Sequence, residues 1–86
     1  MLYELTIYFK KANLFGRVFN THSTEVYRTE KEAKEAQSKL TKENLGIECE
    51  SFTSKIIKHP HAKNYIIMEH ITFRGGYARY KVYPND

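Results

Sequence analysis

The segment Thr29–Gly46, TEKEAKEAQSKLTKENLG, constrains the fold most, because both of its ends are marked. Thr29 followed three residues later by Glu32 has the pattern of a capping box, in which first-turn side chains satisfy orphan backbone N–H groups. Glu30 and Glu32 lie where the helix dipole favours negative charge, and Lys39 and Lys42 lie towards the end that favours positive charge. Gly46 can take the left-handed conformation that ends a helix. Ala33, Ala36 and Leu40 form a narrow apolar stripe at helical spacing. Glu30–Lys34 and Glu35–Lys39 are i,i+4 pairs in the favourable orientation. One amphipathic helix over 29–46 is expected, with its alanines allowing close approach to a sheet.

The flanking sequence supplies the strands. Leu2–Lys10 alternates Tyr3, Leu5, Ile7 and Phe9 on one face with Glu4, Thr6, Tyr8 and Lys10 on the other. Lys11–Gly16 is a turn, and Leu14 and Phe15 within it are expected to cover one end of the core. Residues 17–28 are extended, with a break near Asn20–Ser23 where polar turn-formers gather. After Gly46, Ile47, Cys49 and Ser51 face one way, and Phe52 and Ile56 face the other, which points to a bulge between the two sets. Pro60 and the polar residues around it form a turn. Tyr65–Arg74 places Tyr65, Ile67, Ile71 and Phe73 on one face, and Ile66, Met68 and His70 on the other. Apolar residues on both faces predict a central strand. Gly75-Gly76 reads as a hairpin turn. Tyr77–Tyr83 then returns, with Tyr77, Arg79, Lys81 and Tyr83 outward and Ala78, Tyr80 and Val82 inward. The expected fold is α+β: an antiparallel sheet of about five strands with one helix across one face, in the order β-β-α-β-β-β.

Eighty-six residues suit a single compact domain, 1–86, with little room for a deep cleft. A lone cysteine excludes an internal disulfide and suits a reducing compartment. Charges appear before any signal-peptide apolar run can form, and no apolar stretch is long enough to span a bilayer. A cytoplasmic location, the host cytoplasm if the chain is virus-encoded, and no membrane partner are expected. The net charge of +4 is uneven. Residues 55–86 carry six bases against Glu69 and Asp86, whereas residues 47–54 contribute only Glu48 and Glu50. An acidic partner is therefore expected at the C-terminal third.

Few residues offer chemistry. Cys49 is flanked by Glu48 and Glu50, which oppose thiolate formation, so a buried core role is expected. His59 and His61 form an H-x-H pair, but a closed metal site needs about four ligands, and no metal or cofactor is expected. Arg74-Gly75-Gly76 spells a tripeptide found in RNA-binding segments, although hairpin chemistry accounts for it here. Size and basicity are similar to those of ribosome-dependent endoribonuclease toxins. That resemblance carries no motif, and the helical N-terminal half of those toxins is missing. No catalytic residue is assigned and no enzymatic activity is expected.

What stands out is the alternation of Tyr77, Arg79, Lys81 and Tyr83, with Arg74 just before it. Rings beside cations suit bases and phosphates, or carboxylates on a protein. An exposed strand also uses such residues to block aggregation. The expected partner is an acidic protein surface or nucleic acid, and an edge strand offers a route to a homodimer. The leading expectation is a non-catalytic binding protein, an accessory or inhibitory protein of the kind phages direct against host defence, acting on nucleic-acid-handling machinery. A direct single-stranded nucleic-acid-binding module is the alternative, and a small metal-independent endoribonuclease is a more distant one.

Overall fold

The computed structural model describes residues 1–46, 49–71 and 75–85, with backbone alone at 70 and 71. The fold is α+β, and the described residues form five antiparallel strands and two short helices. The strands are β1 (Leu2–Ala12), β2 (Val18–Tyr27), β3 (Cys49–His59), β4 (Ile66–Ile71) and β5 (Tyr77–Val82). They divide into two sheets, one ordered β2-β1-β3 and one formed by the β4–β5 hairpin. Helices α1 (Glu30–Ser38) and α2 (Lys42–Leu45) lie between β2 and β3.

The centre of the fold is β1, not the strand after Tyr65. It pairs with β2 from Tyr3↔Tyr27 to Ala12↔Val18 and with β3 from Leu2↔His59 to Lys11↔Cys49. Its first half is covered on both faces. Leu5 and Ile7 are buried on the face that carries α1, where Ala33 is fully buried and Gln37 Nε2 donates to Ser54 Oγ at 3.1 Å. Leu2 lies on the opposite face and packs with Val26 and Ile66, fringed by Ala62, Met68 and Val82. The β4–β5 hairpin thus acts as a second lid over the same strand. β4 reads as central in sequence because one of its faces meets that core, yet Ile67 on its other face is about half exposed.

Glu4 and Thr6, on the same face as Leu2, are also buried, at 5% and 2% exposed. A buried carboxylate needs partners. Glu4 has the Thr6 hydroxyl donating to one oxygen and His59 Nε2 at 2.9 Å from the other. The first half of β1 therefore carries a polar cluster beneath the hairpin, beside the apolar contacts of Leu2.

Three local expectations also change. The single helix over 29–46 is two helices. Thr29 does cap α1, its side chain accepting from the Glu32 N–H at 3.1 Å, and Glu30 meets Lys34 at 2.7 Å. A second cap then interrupts the helix: Thr41 is extended, at φ −138°, and accepts from the Asn44 N–H. The Asn44 amide takes the freed Lys39 carbonyl at 2.6 Å. Short polar side chains compete with the helical backbone in this way. Gly46, at φ 107°, ends α2 rather than α1. The second change is in β2, which runs without a break through Asn20–Ser23 because every residue from Val18 to Tyr27 finds a partner on β1. Third, the bulge falls at Glu50, one position before the expected point: Lys10 pairs with Ser51 and Lys11 with Cys49. Cys49 is buried, whereas Ile47 lies outside the described residues.

Beyond Ile7 no residue of β1 is fully buried. Leu14 and Phe15, expected over the core, are instead almost fully exposed at the tip of the β1–β2 hairpin.

Candidate binding face

The outer face of the β4–β5 hairpin collects most of the residues singled out in sequence. Antiparallel pairing sets Ile67 opposite Lys81 and Glu69 opposite Arg79. Alternation puts Tyr77, Arg79 and Lys81 on the side away from the Leu2–Val26–Ile66 core. Tyr77 and Tyr83 are 63% and 60% exposed, with Tyr83 just past the end of β5. Beyond it the chain returns to β2, where the Asn85 N–H donates to the Val26 carbonyl at 2.7 Å. Tyr83 is thereby held between two anchored elements. Arg74 lies outside the described residues. Gly75 begins the return to β5 at φ 76°, a backbone conformation that favours glycine.

The four named residues are not equivalent. Lys81 Nζ lies 4.6 Å from the centroid of the Tyr65 ring, and Tyr65 meets Tyr83 at 5.8 Å with the rings tilted by 55°. These three form a cation–aromatic cluster at the end of the hairpin near its entry from β3. At the other end, Arg79 Nε pairs with Glu69 Oε1 at 3.1 Å. The Tyr77 hydroxyl is held above the usual tyrosine range, first by its hydrogen bond to Glu69, then by slight burial and the charge of that carboxylate. One acid thus engages both an arginine and a tyrosine.

Sequence reasoning missed Tyr65, Ile67 and Glu69 as members of this face. Tyr65 and Ile67 were visible as an alternating pair, but nothing in the sequence states the register that brings β4 against β5. With Glu69 included, the face presents three tyrosines, an isoleucine, two cations and an anion.

The histidine pair does not act as a unit. His59 is drawn to Glu4, while His61 is exposed in the following turn. Among the described residues, no group of three or more histidine, cysteine, aspartate or glutamate side chains is placed to hold a metal ion. Cys49 Sγ lies 3.5 Å from the Ser51 carbonyl, and no described helix of more than four residues begins beside it. No described helix is long and apolar enough to cross a membrane. No known family model, curated protein or solved structure matches the chain.

Proposed function

We propose that the protein is a non-catalytic binding module that works by covering a surface of another protein, through the outer face of its β4–β5 hairpin. The observation that carries this reading is the position of Glu69 between Arg79 and Tyr77. A platform for single-stranded nucleic acid combines stacking rings with an uninterrupted positive track. Here a carboxylate lies among the described members of the track and takes up one of their two cations. Tyrosines, an exposed isoleucine and charges of both signs suit a protein interface, where tyrosine and arginine are enriched among the residues that dominate binding. The reading supports an accessory or inhibitory role, in which occupancy alone changes the behaviour of the partner, with nucleic-acid-handling machinery as the favoured class.

Affinity capture from host lysate, with and without nuclease, tests it. The wild-type chain should retain a specific protein after nuclease treatment, and the Lys81→Glu/Tyr83→Ala double variant should lose it. These positions are chosen because Arg79→Glu would set two carboxylates side by side, confounding recognition with repulsion. Capture that disappears with nuclease, or that survives the double variant, contradicts the proposal.

A further inference from the structure

The tip of the β1–β2 hairpin is a second surface of different chemistry. Leu14 and Phe15 are 98% and 93% exposed there. The turn that carries them is tied down from within. Asn13 Oδ1 accepts from the N–H groups of Phe15 and Arg17 at 2.9 and 3.0 Å. The Asn13 N–H donates to the Arg17 carbonyl at 2.9 Å, and Gly16, at φ 77°, donates to the Asn13 carbonyl at 3.0 Å. Two bare apolar side chains are therefore presented on a preorganised turn, which lowers the cost of ordering them against a partner.

The charge on this hairpin tip is predominantly positive. From Leu5 to Thr24 the sequence contains no aspartate or glutamate, and it carries Lys10, Lys11 and Arg17. Lys10 and Lys11 are successive strand residues and point to opposite faces, so cations flank the hairpin on both sides. Among the described residues, the adjoining end of β3 contributes one exposed acid, Glu50, at the bulge beside Lys10 and Lys11. We propose that this tip is a DNA wedge: Leu14 and Phe15 enter the minor groove of a duplex and part a base step, while Lys10, Lys11 and Arg17 neutralise phosphates on either side. Minor-groove proteins use leucine and phenylalanine in this way, with basic side chains on the flanking backbone. Cations on both faces match a groove with phosphates on both walls, whereas a protein partner would meet one face. A lipid surface would engage the tip alone and would not call for cations on both faces of the strands below it. This inference is independent of the hairpin face proposed above.

The test uses the full chain, a short end-labelled DNA duplex with a central 2-aminopurine, its single strand, and vesicles containing anionic phospholipid. The wild-type protein should bind the duplex in preference to the strand. Its log affinity should fall with log salt at a slope of about −2.7 if all three cations meet phosphates. Binding should raise 2-aminopurine emission as the step unstacks. Leu14→Ser/Phe15→Ser should weaken binding on the order of tenfold, as losing a stacking contact does. It should also abolish the emission change and leave the salt slope intact. Lys10→Gln/Lys11→Gln should make the slope shallower. These side chains lie outside the core, and matching denaturation midpoints will establish that the variants fold. Absence of duplex binding, wild-type behaviour of the serine variant, or binding to vesicles in place of DNA each overturns the proposal.

Discussion

The two ends of the central strand share the same backbone pairing but differ in burial. From Leu2 to Ile7, β1 lies beneath α1 on one face and packs at Leu2 against the β4–β5 hairpin on the other, and all but Tyr3 are buried, Glu4 and Thr6 included. From Tyr8 to Ala12 the same strand keeps its hydrogen-bonded neighbours but has no fully buried residue: Phe9, Lys11 and Ala12 are half-buried, and Tyr8 and Lys10 are exposed. Backbone pairing alone therefore does not make a core. Burial comes from what lies across a sheet, and here both layers are spent on one half of it. The uncovered half is left to present side chains rather than to pack them.

This contrast sets the order of mutational effects. Leu5→Ala removes a fully buried side chain beneath α1 and should cost about 2–5 kcal/mol, read as a lower urea midpoint. A neutral result would mean that α1 does not close over the sheet. Thr29→Ala should cost about 1 kcal/mol through loss of the α1 cap. Thr24→Val should act in the other direction. Its buried hydroxyl oxygen has no hydrogen-bond partner among the described residues, and replacing it with a methyl should raise stability by up to about 1 kcal/mol.

A pH dependence sharpens the comparison at Tyr27, where β2 enters the covered region. Its hydroxyl is held above the usual tyrosine range, first by burial and then by its hydrogen bond to Glu25. A raised folded-state value stabilises the protein below the unfolded value of about 10 and withdraws that stability as pH rises through the folded one. Denaturation followed across the alkaline range should show this loss, and Tyr27→Phe should flatten it. The smallest effect belongs to the uncovered end: Leu14→Ser/Phe15→Ser should change stability by no more than about 0.5 kcal/mol. A larger loss would show that the tip packs against something in the folded chain.

The α+β class, the element order and the Thr29 cap were legible because each rests on local pattern. Alternation marks a strand, and a threonine three residues before a glutamate marks a helix start. The layering was not legible. Alternation puts Glu4 on the face of β1 opposite Leu5, but nothing near it in sequence announces that Ile66 and Val82 will pack against Leu2 on that face. Charge misled for the same reason. Counted along the chain, residues 1–27 look nearly neutral and the last third looks basic. In space Glu4 is buried and Glu25 is engaged by Tyr27, which leaves Lys10, Lys11 and Arg17 around the tip. In the last third, Arg79 is partly offset by Glu69. The mid-helix break was written in Thr41 and Asn44, but a long amphipathic pattern outweighed two short polar side chains.

Native-state amide hydrogen exchange along β1 tests the central contrast most directly, because every amide compared lies on one hydrogen-bonded strand. If packing sets local stability, the amides of Leu5, Thr6 and Ile7 should exchange only through global unfolding, while those of Lys10, Lys11 and Ala12 should exchange through local opening at lower free energy. Equal protection from Leu5 to Ala12 would contradict the account, because it would mean that the uncovered half is held as firmly as the covered one.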